Sequence, residues 1–157
     1  RSHSINDDFY WHSEEFDGHF ANWKNRLNCL CTGDFIFNID ADEVPYDTLI
    51  ENIHDVIESN PTVDLFLVSR VNLVEGITQE HINQWHWSIT DKGWINWPDM
   101  QMRIYKNIRE IKWENKVHEK ITGAKAYSFL PAQEEWSLKH VKTIKRQEKQ
   151  NNFYNAL

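Results

Sequence analysis

The 157 residues carry 24 acidic and 17 basic side chains, a formal net charge of -7, and are 40% hydrophobic and 13% aromatic. That composition suits one folded domain able to bury roughly two-thirds of its unfolded surface and excludes a disordered chain, which would be poor in Trp, Phe and Tyr. The acidic balance argues against broad attraction to nucleic acid or anionic lipid, and no apolar run approaches the roughly 20 residues needed to cross a bilayer, so the chain reads as soluble and cytoplasmic.

In chain order, residues 8–12 read as a short strand, and the stretch from Ser13 to His19 as irregular, with a turn at Asp17-Gly18. Phe20, Trp23, Leu27, Leu30 and Cys31 recur at three- and four-residue spacing, which predicts a helix over 20–31 ended by Gly33 in a left-handed cap. Cys29 and Cys31 diverge on such a helix and are expected to stay reduced. The mostly apolar run Phe35-Ile36-Phe37-Asn38-Ile39 predicts a strand buried on both faces, delivering the chain into Asp40-Ala41-Asp42-Glu43. A second helix is expected to start on a capping box of Thr48 and Glu51. It would bury the stripe Leu49, Ile50, Ile53, Val56 and Ile57 and stop at Asn60-Pro61.

Residues 64–74 predict one or two strands, with further, largely antiparallel strands near 84–90, 101–106 and 109–118, and a C-terminal helix over 137–156. No internal repeat or linker divides residues 1–157, which read as a single domain. The chain opens without methionine, in mid-pattern, and is expected to be a fragment of a longer protein.

The acidic cluster is where chemistry is expected. Two carboxylates separated by one small residue repel each other, and a divalent cation satisfies both in their ionised forms. Oxygen ligands favour hard ions such as Mn2+ or Mg2+, which bind through one or two carboxylates together with substrate phosphates. The end of a sheet strand is also where α/β proteins open a ligand crevice.

The surroundings add specificity: Phe20-Ala21-Asn22-Trp23-Lys24-Asn25, then Gly33-Asp34, then the apolar run into Asp40-Ala41-Asp42-Glu43. Trp97-Pro98-Asp99-Met100-Gln101-Met102-Arg103-Ile104-Tyr105-Lys106 and Val117-His118-Glu119 follow. In this order the segments resemble family 2 glycosyltransferases of the GT-A fold, in the branch similar to lipopolysaccharide-core glucosyltransferases. Lys24-Asn25 stands where that family more often has Arg-Asn.

The resemblance implies an α/β, GT-A-like (Rossmann-like) mixed sheet flanked by helices. It also implies that the chain is N-terminally truncated, lacking the strands that hold the base and ribose, with an exposed sheet edge open to self-association. It implies transfer of a sugar from a nucleotide-sugar donor, a UDP-sugar foremost, to a hydroxyl of a saccharide or other acceptor, with inversion and with Mn2+ or Mg2+. Asp42 would ligate the metal, Asp40 would meet metal or ribose, Glu43 would shape the loop, and His140 would be a third metal ligand. Lys24 and Asn25 would bind the donor, and Glu119, Asp99 or His118 would take the acceptor proton. Arg103, flanked by Met102 and Ile104 in a strand-like segment, suits either contact with the donor phosphate or the satisfaction of a buried acid.

Each residue also has a plainer role. The carboxylates and His140 suit turns and ion pairs, and Lys142, Lys145, Arg146 and Lys149, diluted by Glu134, Glu135 and Glu148, suit a solvated helix face. Trp85, Trp87, Trp94 and Trp97 suit either core packing or a sugar platform. The competing activities are metal-dependent phosphoryl transfer or hydrolysis, and a non-catalytic carbohydrate-binding module.

Overall fold

A computed structural model describes residues 12–155, so most of the strand expected over residues 8–12 lies outside the described residues. The elements in order are α1 (Phe20–Asn28), β1 (Phe35–Phe37), β2 (Glu43–Pro45), α2 (Asp47–Ser59), β3 (Leu65–Glu75), α3 (Gln79–Trp85) and β4 (Ile95–Lys106). They continue with β5 (Lys112–Glu114), β6 (Lys120–Thr122), β7 (Tyr127–Phe129), β8 (Leu138–Thr143) and α4 (Ile144–Asn155). The result is a mixed α/β fold. A six-stranded sheet runs β1-β4-β3-β8-β2, with β7 also paired to β3, and β5 and β6 form a separate ribbon.

The central strand β3 is one continuous strand. It pairs with antiparallel β4 on one side, and with parallel β7 and then parallel β8 successively along its length. Alternation along it builds two cores: Leu65 packs with Ala21, Ile36, Tyr105, Ile111, Trp113 and Ile121, whereas Phe66 and Val68 pack with Leu49, Ile104, Leu130 and Leu138. Helix α2 covers the second core with Leu49, Ile53, Val56 and Ile57, and Ile50 is exposed. Burying a side chain such as Leu49 contributes about 1.5–3 kcal/mol.

Several local expectations are corrected. Helix α1 ends at Asn28, Cys29 closes it in right-handed geometry, and Gly33 is not left-handed. Its buried face carries Ala21 and Lys24, while Leu27 and Leu30 are 44% and 52% exposed. Polar anchoring replaces the expected apolar stripe: Asn25 grips the Trp113 backbone at both N–H (2.9 Å) and C=O (2.8 Å). Asn28 Oδ1 accepts from the Tyr105 hydroxyl (2.8 Å). Helix α2 begins at Asp47 on an extended Tyr46 with no side-chain cap, so the Thr48–Glu51 box does not form. Asp47 in the first turn complements the helix dipole instead.

The strand expected near 84–90 does not form: α3 runs to Trp85, and beyond it Ile89 makes an isolated antiparallel bridge to Ile95. The capping box of α3 joins Thr78 to His81 rather than to a Glu or Gln. Only β5 fills the strand expected over 109–118. The helix expected over 137–156 is β8 followed by α4, because Leu138, His140 and Lys142 alternate inward with period two. At Gly123 (φ +85) an added Cβ would lie 1.8 Å from the Glu110 carbonyl oxygen, so only glycine fits where this turn passes residue 110. Among the described residues no helix is long and apolar enough to cross a membrane.

Candidate functional site

The acidic segment connects β1 and β2, which lie at opposite ends of the sheet path, so it must cross the strands between them. The crossing begins with Asn38 N–H donating to the Arg103 carbonyl (2.8 Å). It closes with a reciprocal pair: Glu43 N–H donates to the Asp40 carbonyl (2.9 Å) and Asp40 N–H donates to Glu43 Oε2 (3.1 Å). Glu43 is fully buried, and its Oε1 accepts from Arg70 Nη1 of β3 (3.0 Å) and Arg103 Nη2 of β4 (2.7 Å). Two guanidinium groups are what make a buried carboxylate tolerable here.

Asp40 and Asp42 turn to different neighbours. Asp40 meets Arg103 Nη2 (2.8 Å) through Oδ2 and Lys24 Nζ (3.5 Å) through Oδ1. Lys24, almost buried on α1, also holds Glu119 Oε1 at 2.8 Å and lies 4.3 Å from the centre of the Trp113 ring. Glu119 reaches this position from a turn in which Asn115 (φ 79) and His118 (φ 51) are both left-handed. That backbone is uncommon outside glycine and concentrates at functional sites.

Asp42 faces β8 and α4. Its Oδ2 lies 3.3 Å from His140 Nε2 and 3.1 Å from Arg146 Nη2. Burial opposes ionisation of Asp42, but in the acid range where carboxyls titrate a protonated His140, with Lys142 and Arg146, outweighs it and holds the carboxyl below its usual range. Burial, joined by the charges of Arg70 and Lys142, pushes His140 down despite Asp42 beside it, which keeps the imidazole neutral near pH 7. Lys142 is lowered as well, first by burial and then by Arg70 and Arg146, and it donates to Gln150 Oε1 (2.6 Å). Sequence reasoning placed Lys142 on a solvated helix face; it points inward from β8.

Asp99 is surrounded by donors. Arg70 reaches its Oδ2 through Nε (2.9 Å) and Nη2 (2.7 Å), Asn72 Nδ2 meets the same oxygen (2.8 Å), and Gln101 Nε2 meets Oδ1 (2.7 Å). For Arg70 itself, burial disfavours the charge, but Asp99 and Glu43 prevail and raise its pKa.

Most of these groups line one cleft of about 790 Å³; Glu43 and Arg146 do not. Lys24, Asp40, Asp42, Asp99, Arg103, His118, Glu119 and His140 all line it. Asn25 does not, since its carboxamide is engaged by Trp113. Of the four clustered tryptophans only Trp87 lines the cleft, paired with Trp85 at 4.8 Å between ring centres. Trp94 is buried against Trp97 at 4.7 Å, and Trp23 and Trp113, outside that cluster, supply further aromatic wall.

Arg70 and Asn72 are among the lining residues the sequence reading overlooked. Their signal was two large polar residues at the two-residue spacing of one strand face inside a mostly apolar run.

A divalent ion would meet Asp42 and His140 here, a carboxylate and a neutral imidazole facing each other. Asp40 does not join them, and among the described residues no group of three or more His, Cys, Asp or Glu converges. Two protein donors with substrate phosphates completing the shell is an ordinary arrangement for such ions. The nitrogen donor suits Mn2+ better than Mg2+.

Among known proteins, no family model matches the chain, and no curated protein matches it.

Proposed function

We propose that this chain carries the catalytic site of a divalent-cation-dependent glycosyltransferase of GT-A type, moving a sugar from a nucleoside-diphosphate sugar to an acceptor hydroxyl. The observation that carries the reading is the division of one cleft into two chemistries. Asp42 and His140 form a cation-ready pair beside Arg146 and Lys142, and Glu119 stands on Lys24 with aromatic side chains around it. A bound cation supplies Lewis-acid stabilisation of charge on the departing diphosphate. Lys142 and Arg146 meet the same charge from the protein side. Glu119 takes the acceptor proton as the acceptor oxygen bonds to the anomeric carbon and the bond to the phosphate oxygen breaks, its electron pair leaving with the diphosphate. Asp99 is the weaker candidate base because both its oxygens are already held by Arg70, Asn72 and Gln101.

Calorimetric titration of the chain with UDP tests the reading. Binding is expected with Mn2+, weak without it, and lost in Asp42→Ala; equal affinity with and without Mn2+ removes the mechanism. Slow release of free sugar from a UDP-sugar supports transfer. Turnover of a phosphomonoester instead favours metal-dependent hydrolysis, and sugar binding indifferent to nucleotide favours a carbohydrate-binding module.

A further inference from the structure

We propose that Asn72, oriented by Asp99, is a positioning residue that fixes His140 as the tautomer protonated at Nδ1, leaving the Nε2 lone pair aimed at Asp42. The inference follows from which atoms can donate. An ionised carboxylate only accepts hydrogen bonds. Asp99 is kept in place by Arg70 and Gln101, and Asn72 therefore presents its NH2 group to Asp99 Oδ2 at 2.8 Å. The Ile95 carbonyl, 3.4 Å from the same nitrogen, also requires a donor there. The carboxamide oxygen of Asn72 is thereby turned to His140 Nδ1, 2.7 Å away. A carbonyl oxygen cannot donate, so the proton of that short bond belongs to Nδ1.

At the other ring nitrogen the geometry is different. Nε2 lies 3.3 Å from Asp42 Oδ2, longer than the roughly 2.7–2.9 Å of a charge-assisted hydrogen bond. The opposite tautomer would press two acceptors together at the 2.7 Å contact and place its proton at the longer one. With the proton on Nδ1, a lone pair and a carboxylate oxygen converge on one point, the arrangement of a ligand histidine whose second nitrogen is tied to the surrounding protein. The consequence for cation binding rests on the functional reading above; the tautomer does not.

The test is a long-range 1H–15N correlation spectrum of the chain with 15N-labelled histidine, recorded at pH 8 without metal. His140 is expected to show a protonated, pyrrole-like Nδ1 and a pyridine-like Nε2, opposite to the tautomer that free imidazole side chains favour. In Asn72→Leu the preference should reverse, and Mn2+ affinity followed by EPR should fall about 10- to 100-fold. Asn72→Ala serves if the leucine variant does not fold. A protonated Nε2 in the unmodified chain overturns the proposal, as does an unchanged His140 spectrum in a folded Asn72 variant. The expected tautomer without any Mn2+ binding would support the positioning role and refute the cation reading of the cleft.

Discussion

Glu43 offers the sharpest test of how the acidic loop is held. Its side chain is 0% exposed and Arg103 is 3% exposed, so this ion pair has almost no water to fall back on. Arg103 Nε has no hydrogen-bond partner among the described residues, which leaves the guanidinium dependent on its Nη2 contacts with Glu43 and Asp40. Removing one partner of a buried pair costs about 3–5 kcal/mol, because the other charge stays buried. Glu43→Gln keeps one carbonyl oxygen for the arginines but turns its NH2 group to the Asp40 N–H, and belongs near about 3 kcal/mol. Glu43→Ala leaves the arginines and the Asp40 N–H without any acceptor from this side chain and belongs near about 5 kcal/mol. With a urea slope of about 2 kcal/mol per molar, the unfolding midpoint should fall by about 1.5 M and about 2.5 M respectively. The double variant Glu43→Gln with Arg103→Met should lose less than the sum of the single changes, since neither charge remains. A midpoint shift under about 0.5 M for Glu43→Gln would refute the argument that this carboxylate neutralises the arginines.

Asn25→Ala should destabilise the chain by about 1–3 kcal/mol in urea, because it leaves the Trp113 N–H and C=O unmet, while nucleotide and Mn2+ affinity stay unchanged. Lost nucleotide affinity at unchanged stability would return Asn25 to the donor site. Asp64 should give a pH signature, since the Lys106 ammonium first, and then the Lys125 and Ala126 amides, hold its carboxyl below the usual range. A depressed folded pKa contributes stability that is present above the unfolded value, near about 3.9, and is lost as pH falls through the folded one. Melting temperatures should therefore show Asp64→Asn below the unmodified chain at pH 7 and losing less between pH 5 and pH 3; parallel losses would remove the role.

The legible parts of the fold were those where side-chain chemistry and period agree. The run Phe35–Phe37 and the Leu-, Val- and Phe-rich stretch around Leu65–Val71 are strands because apolar residues there face packed layers, and Asn60-Pro61 stops α2 because proline cannot extend a helix. The acidic loop stood out because four consecutive residues included three carboxylates immediately after an apolar run.

Illegibility came from polar residues facing inward. Lys24 and Asn25 bind α1 to its neighbours, so the apolar spacing of Leu27 and Leu30 marked the wrong face. His140 and Lys142 point into the cleft from β8, and their polarity disguised a strand as a helix. Arg70 and Asn72 belong to a network that becomes visible only when β3 lies between β4 and β8. Hydrophobic patterning has no rule for a strand whose inward face is polar by purpose.

The alignment of β2 with β8 sets Glu43 directly opposite His140 and Val44 opposite Lys139. Because a strand repeats every two residues, inserting one residue anywhere in Leu138–His140 would send the imidazole to the outer surface and bring a neighbour in its place. Length changes in this short ladder are therefore far less tolerable than most point substitutions on its outward face. Lineages of this protein should vary freely at 139 and 141 while holding the spacing between 138 and 142 constant.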